Sequence, residues 1–158
     1  MRKLLLALAM LAVSIAGQAQ TLDEVISLYK GKKYATYNDM SKEEIKAAFK
    51  EKDKNNGADY AKLMDKMVML KLNDMPKAEM KKLAKLFKNH SITDYEEMTR
   101  LKGNGGEFIL LADTTDENIM QIAFVILAKD SAYILEMKGH FDEKMSDSIF
   151  KDIINTDN

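Results

Sequence analysis

The chain has 158 residues, of which 46% are hydrophobic and 31% charged, with one proline and no cysteine. This composition is typical of a single globular domain and unlike that of disordered or fibrous proteins. The absence of cysteine excludes disulfides, thiol nucleophiles, cysteine zinc sites and iron–sulfur clusters. The formal net charge of −1 argues against a dedicated nucleic-acid-binding protein.

Residues 1–19 have the pattern of a secretory signal peptide. Arg2 and Lys3 precede an apolar run over residues 4–15, and small residues at 17 and 19 mark a cleavage site after Ala19. The run is shorter than the roughly 20 apolar residues that a bilayer-spanning helix needs. We therefore expect residues 20–158 to form one exported domain of the periplasm or cell envelope, soluble after cleavage. Loss of the two cations would leave 22 basic and 25 acidic residues, a balance of −3.

Two capping boxes mark helix starts in the first part of the chain. Thr21 with Glu24 begins a short first helix, and Ser41 with Glu44 begins a second one. Between them, residues 32–38 alternate in a way that predicts a weak strand. The expected buried stripes of the two helices are Leu22, Val25, Ile26 and Tyr29, and then Ile45, Ala48 and Phe49.

The middle of the chain contains a loop and two ambiguous segments. Residues 52–59 are polar and include the turn signal Asn56-Gly57, which predicts a loop. Residues 66–72 alternate as a strand covered on both faces, although residues 60–67 also fit a helical stripe. Residues 95–102 can likewise be assigned to strand or helix, because Ile92, Tyr95 and Met98 keep a helical spacing.

Residues 107–138 supply most of the predicted core as an antiparallel meander of three strands. The glycine-rich loop at residues 103–106 predicts a tight hairpin with positive φ angles. Residues 107–113 and 132–138 are the predicted outer strands, the latter half exposed, and residues 119–128 the central one. A final helix capped by Asp142 would bury Met145, Ile149, Phe150 and Ile153. The fold class expected from these elements is α+β, with helices packed on a mainly antiparallel sheet.

Two stretches carry a resemblance to a known family. They are YEEMTRLKGNGGEFILL at residues 95–111 and IAFVILAKDSAYILEMKGHFD at residues 122–142. Together with the signal peptide and a terminal helix, they resemble secreted bacterial proteins grouped as domain of unknown function 4252. The resemblance covers most of the mature chain. It implies an exported α+β domain and no particular activity.

The common catalytic and ligand motifs are absent from the sequence. His90 and His140 lack a second histidine at metal-ligand spacing, and no G-x-S-x-G motif occurs. The glycine loop leads to a strand, whereas phosphate-binding loops lead to a helix N-terminus. Residues 53–59 imitate the start of a calcium loop and residues 113–117 form an acidic cluster, but surface turns are the favoured interpretation of both.

A third predicted helix carries the one asymmetric charge pattern in the sequence. Pro76 opens this helix, which we expect to end near residue 89. Its apolar stripe opposes a lysine-rich side, as in a helix that rests on anionic lipid or an acidic partner. The alternative is a solvated face whose stripe packs on the sheet. The candidate binding residues are Lys77, Lys81, Lys82, Lys85 and Lys88, and the stripe is Met80, Leu83, Ala84 and Phe87.

These observations favour a non-enzymatic, exported envelope protein that binds a protein or envelope component, without a cofactor, a metal or nucleic acid. Two alternatives stay open. A hydrolase-type enzyme would need carboxylates such as Glu96, Glu97 and Asp113 to meet in one cleft. A copper(I)-binding protein would use thioether ligands from the methionine group at residues 64–69, although core packing is the favoured role of those methionines.

Overall fold

The computed structural model describes residues 20–52, 61–88, 91–113 and 119–141. These ranges contain three helices and six strands. The helices are α1 (Leu22–Tyr29), α2 (Lys42–Lys52) and α3 (Lys77–Leu86). The strands are β1 (Ala35–Ser41), β2 (Met64–Leu72), β3 (Glu96–Gly103), β4 (Gly106–Ala112), β5 (Ile119–Leu127) and β6 (Ala132–Phe141).

The six strands form one antiparallel sheet in the order β1-β2-β6-β5-β4-β3. The predicted meander is confirmed as β4, β5 and β6, with β5 between its two neighbours in sequence. Cross-strand rows run through it, such as Phe108–Ile126–Tyr133 and Leu110–Phe124–Leu135. The α+β class is therefore correct, and the sheet has the expected central strand.

The prediction that the last strand is half exposed is wrong. β6 pairs with β5 on one side and with β2 on the other, so it lies in the middle of the sheet. Its polar positions include Glu136, which is only 1% exposed. Charged residues at alternate positions of a strand, here 136 and 138, are typical of a face exposed to solvent. The pattern was misleading because the partner strand β2 and the covering helix α1 are distant in sequence.

Helices cover both faces of the sheet, and each face has its own apolar cluster. On one face, α1 and α3 pack over the inward residues of β2, β4, β5 and β6, including Leu70, Ile109, Val125 and Ile134. On the opposite face, Ile45 of α2 joins a second cluster that includes Phe124, Met137 and Phe141. We call these the α1/α3 face and the α2 face. Because β5 contributes to both clusters, its continuous apolar sequence is explained.

Both predicted capping boxes are formed. At α1, the Thr21 hydroxyl accepts from the Glu24 N–H at 3.2 Å while the Glu24 carboxylate accepts from the Thr21 N–H at 3.0 Å. The same reciprocal pair links Ser41 and Glu44 at α2. The strand between these helices begins three residues later than predicted, because the chain turns at residues 30–34 before it pairs with β2.

Both ambiguous segments contain strands. Residues 64–72 form β2, in which residues 66–72 pair with both β1 and β6, so the helical alternative for residues 60–67 is wrong from residue 64 onward. Residues 96–103 pair with β4 and form an edge of the sheet. Met98, which completes the helical spacing, is 51% exposed at an irregularity in the ladder. Pairing with neighbouring strands outweighs the local periodicity in both cases.

The predicted glycine hairpin joins β3 and β4, with Gly103 paired to Gly106. Of the glycines described, Gly106 alone has a positive φ, at 145°. A Cβ atom at this position would lie 2.2 Å from the Leu127 carbonyl oxygen. Gly106 is therefore needed both for its backbone angle and for the close approach of β5.

Several predictions fall outside the described residues: the signal peptide, most of the loop at residues 52–59, the turn at residues 114–118 and the final helix after Asp142. Among the helices of the described ranges, none combines the length and apolar character needed to cross a membrane.

Candidate functional site

The most unusual polar group of the described chain is the carboxyl of Glu136, buried on the α1/α3 face. The Tyr95 hydroxyl lies 2.8 Å from its Oε2 atom and 3.1 Å from Oε1 of Gln121 on β5. Lys138 Nζ lies 3.4 Å from Glu136 Oε1 and 3.3 Å from a carboxylate oxygen of Asp23 on α1. This cluster joins α1, the segment before β3 and the two central strands.

The hydrogen-bond partners of the Glu136 carboxyl can be assigned for both of its charge states. Tyr95 has one hydroxyl hydrogen but two acceptor oxygens within reach, Gln121 Oε1 and Glu136 Oε2. A protonated Glu136 can donate to the Tyr95 oxygen, which leaves the tyrosine hydrogen for Gln121. Glu136 Oε1 makes no hydrogen bond with any described residue, although it is in ion-pair contact with Lys138. Among the described residues, Oε1 lacks a hydrogen bond whether the carboxyl is neutral or ionised, and the Lys138 ammonium partly balances the charge of the ionised form.

Burial is the main cause of the altered acid–base behaviour of this cluster. It raises the pKa of Glu136, against the opposing effects of the Tyr95 hydroxyl and Lys138. Burial and the Glu136 charge also raise the pKa of Tyr95. Partial burial by itself would lower the pKa of Lys138, but the carboxylates of Glu136 and Asp23 outweigh it and the pKa is raised.

The cluster has little access to a ligand. A shallow depression beside it is lined by Phe87, Ser91, Ile92, Tyr95, Glu97 and Leu111, and Glu136 is not part of its surface. Tyr95 lies between the depression and the buried carboxyl. The geometry thus supports a structural role for the cluster, which ties α1 to the sheet.

The variant Glu136→Gln is expected to weaken the dependence of stability on pH. Because the pKa of Glu136 is raised by folding, its stabilising contribution is complete below its unfolded pKa of about 4.3 and is lost as pH rises through the folded value. Wild-type stability relative to the variant should therefore fall with pH, by up to about 1.4 kcal/mol per pH unit in that window. Urea unfolding at a series of pH values measures the difference.

The matched control for this measurement is Glu96→Gln, which alters an exposed carboxyl on β3. It should leave the pH dependence as in the wild type. Parallel curves for the wild type and Glu136→Gln would contradict a raised pKa of Glu136 in the folded protein.

The five candidate lysines all lie on the exposed side of α3 and its C-terminal end. The apolar stripe packs into the α1/α3 face, with Met80, Leu83 and Phe87 buried. Lys82 is paired with Glu79 at 3.2 Å. The remaining four make no ion pair with any residue in the described ranges, and three of them, Lys77, Lys81 and Lys85, recur every four residues along one side of the helix.

The structure adds three lysines that were not among the predicted site residues. The connection between α1 and β1 carries Lys30, Lys32 and Lys33, all exposed. Tyr29 and Tyr34 flank this connection and pack in the same apolar cluster as Met80 and Leu83 of α3. Burial, and then the charge of Glu79, raises the pKa of both tyrosines, that of Tyr29 to about 12. The two groups of lysines are more than forty positions apart, so sequence spacing offered no signal that the fold places their segments on the same face of the sheet. We call α3, Lys88 and this connection the lysine surface.

Arg100 forms a second feature that sequence reasoning missed. Its guanidinium donates to Glu97 at 2.7 and 2.9 Å, to Glu107 at 2.6 Å and to the carbonyl oxygen of Phe87. Arg100 and both carboxylates are each only 19% exposed. These hydrogen bonds, first those to Glu97, raise the pKa of Arg100. The guanidinium thereby joins the β3–β4 hairpin to the end of α3, close to the lysine surface.

The carboxylates of the hydrolase alternative are not brought together by their strand. Glu96 and Glu97 are consecutive on β3 and therefore point to opposite sides of the sheet. Glu97 is engaged by Arg100, and Asp113 follows the end of β4. Within the described ranges, no group of three or more histidine, aspartate or glutamate residues is placed to hold a metal ion.

The methionine group lies on the α2 face. Met64 and Met67 are buried in its apolar cluster with Met137, and Met69 packs against it. The strand register places Met40, Met67 and Met137 side by side across β1, β2 and β6. These positions fit the packing role, in which flexible thioethers fill gaps between less adaptable side chains. His140 is exposed near Asp65, at 3.7 Å, and His90 lies outside the described residues.

The observed features define a class: an α+β domain with a six-stranded antiparallel sheet, helices on both faces, a buried carboxyl and a basic surface. The family model described as "Domain of unknown function (DUF4252)" matches residues 29–148, so the chain belongs to this family. No curated protein and no solved structure matches the chain.

Proposed function

We propose that this is an exported, non-enzymatic protein of the cell envelope that binds an anionic lipid surface through its lysine surface. The observation that carries the proposal is that the two sides of α3 differ in burial and charge. Its apolar stripe is buried against the sheet, and its lysines face solvent without carboxylate partners among the described residues, apart from Lys82. Export rests on the signal-peptide pattern of residues 1–19.

The proposed association is peripheral and electrostatic. Because Met80, Leu83 and Phe87 are buried in the core, α3 has no exposed apolar face that could insert between acyl chains. Lysines near an anionic membrane surface contribute about 1 kcal/mol each. The four lysines without ion pairs therefore supply about 4 kcal/mol, which corresponds to weak and reversible binding. Lys30, Lys32 and Lys33 widen the positive area beyond a single helix.

Charge reversal on α3 tests the proposal. The double variant Lys81→Glu/Lys85→Glu should reduce binding to vesicles of phosphatidylglycerol and phosphatidylcholine by at least about tenfold, since each reversal replaces attraction with repulsion. Co-sedimentation of the mature protein at low ionic strength measures the bound fraction. Raised salt should release the wild-type protein, because screening shortens the reach of surface charges.

The matched control is Lys46→Glu/Lys71→Glu, which makes the same change in net charge on the α2 side of the sheet. It should bind vesicles as the wild type does, and neither protein should bind vesicles of phosphatidylcholine alone. Equal losses in the two double variants, or no wild-type binding at low salt, would overturn the lysine surface as the binding site.

A further inference from the structure

The methionines of the described residues are concentrated on the α2 face of the sheet. The apolar cluster of that face has eight buried and six partly buried residues, of which five are methionine. The cluster of the α1/α3 face has 20 buried and four partly buried residues, of which two are methionine. Gap filling gives no reason for this difference, because both clusters pack helices against the same strands. The concentration therefore points to a second role beside packing.

The strand register places three of the five thioethers in one row. Met40 on β1 pairs with Met67 on β2, and Met67 pairs with Met137 on β6. Opposite residues of antiparallel strands point to the same side of the sheet, with Cβ atoms about 4.5–5.5 Å apart. A methionine side chain has three rotatable bonds, so neighbouring sulfur atoms can turn toward a common point. The row thus has the arrangement that a three-sulfur site requires.

The row begins at an edge of the sheet and runs into its interior. β1 is an edge strand on which Met40 is partly exposed, whereas Met67 and Met137 are 8% and 5% exposed. A small ion therefore has an approach from the Met40 end. Thioether sulfur is a soft, uncharged ligand of the kind that selects copper(I) over harder divalent ions.

We propose that Met40, Met67 and Met137 together bind one copper(I) ion on the α2 face. The ion is held by three sulfur atoms, and no bond of the protein is made or broken. In its absence, the same side chains fill the apolar cluster, so the packing role and the ligand role are compatible. The site lies on the face opposite the lysine surface. Copper(I) binding and lipid binding can therefore be tested separately, and either proposal can fail without the other.

A competition titration tests the site. The full chain is expressed in a bacterial host and purified in the form that the host produces. Under anaerobic reducing conditions, copper(I) is divided between the protein and bicinchoninate, whose copper(I) complex is coloured. The protein should withdraw one equivalent of copper(I) from the chelator. Silver(I), which is also a soft monovalent ion, should compete for the same position.

The double variant Met67→Leu/Met137→Leu separates the ligand role from the packing role. It removes two sulfur atoms but keeps apolar side chains of similar volume. Its copper(I) affinity should fall by at least about tenfold, which is the loss seen when even a residue that supports a metal ligand is removed. The matched control Met75→Leu/Met80→Leu removes two thioethers from the α1/α3 face and should bind copper(I) as the wild type does. Circular dichroism checks that both variants are folded.

The single variant Met40→Leu provides the same test on the partly exposed edge strand, should the first double variant fail to fold. It should also bind copper(I) at least about tenfold more weakly. In protein with labelled methionine methyl groups, silver(I) should shift the nuclear magnetic resonance signals of the three ligands and not that of Met98, which is 51% exposed. Failure to withdraw copper(I) from the chelator, equal affinities in the two double variants, or an equal shift at Met98 would overturn the site.

Discussion

Replacing Gly106 with alanine is expected to lower the free energy of unfolding by about 3 kcal/mol or more. Two costs combine at this position. The φ angle of 145° is rarely adopted by residues with a side chain. The new Cβ would also lie 2.2 Å from the Leu127 oxygen and 3.0 Å from Ala128 Cα, both backbone atoms of the neighbouring strand connection. Neither can move without disturbing the β4–β5 pairing.

The neighbouring variant Gly105→Ala is the matched control for this prediction. No atom lies within 4 Å of a Cβ built at Gly105, and its φ is not positive. Its stability should stay within about 0.5 kcal/mol of the wild type. Urea unfolding followed by circular dichroism measures both variants, and the Gly106 variant should also lose about 10 °C in thermal midpoint. Equal stabilities for the two alanine variants would contradict the close approach of β5.

The variant Arg100→Ala should cost about 3 kcal/mol of stability. Removal of the guanidinium leaves the largely buried carboxylates of Glu97 and Glu107 close together without their shared cation. It also leaves the Phe87 carbonyl oxygen at the end of α3 without this donor. Like charges in a poorly hydrated site repel each other, so the hairpin and the end of α3 should loosen together.

Two further variants separate charge from geometry at this site. Arg100→Lys keeps the charge but cannot reproduce the forked donor arrangement of the guanidinium. It should therefore lower the free energy of unfolding by about 1–2 kcal/mol, less than Arg100→Ala does. Lys102→Ala removes a lysine that is 76% exposed and lies 3.7 Å from Glu107, and it should change stability by less than about 0.5 kcal/mol. Wild-type stability in Arg100→Ala would show that the guanidinium contacts contribute nothing measurable.

Local signals in the sequence were sufficient for the helices. The capping boxes at Thr21 and Ser41 depend on residues three positions apart, and α3 has a pure apolar stripe opposite its lysines. The lysine side of α3 was therefore visible in advance as a candidate site. The meander was equally predictable, because consecutive strands joined by short turns pair with one another.

The partners of β6 could not be predicted in the same way. β2 pairs with β6 across more than sixty residues, and no local pattern specifies that choice. The pairing places β6 in the middle of the sheet, and α1 covers the side that carries Glu136. The hydrogen bond from Tyr95 to Glu136 spans 41 positions. In the sequence, Glu136 was therefore visible only as one of two charged residues, with Lys138, at alternate positions of a strand.

The sequence by itself determined the helix starts, the three-strand meander and the lysine side of α3, because each depends on contacts between residues close along the chain. The tertiary structure alone decided the burial of Glu136, the Arg100 contacts and the addition of Lys30, Lys32 and Lys33 to the lysine surface. In each case the physical cause is the loss of solvent around a polar group, or the approach of charged groups, where segments distant in sequence meet. Such effects arise only when long-range strand pairing brings those segments together.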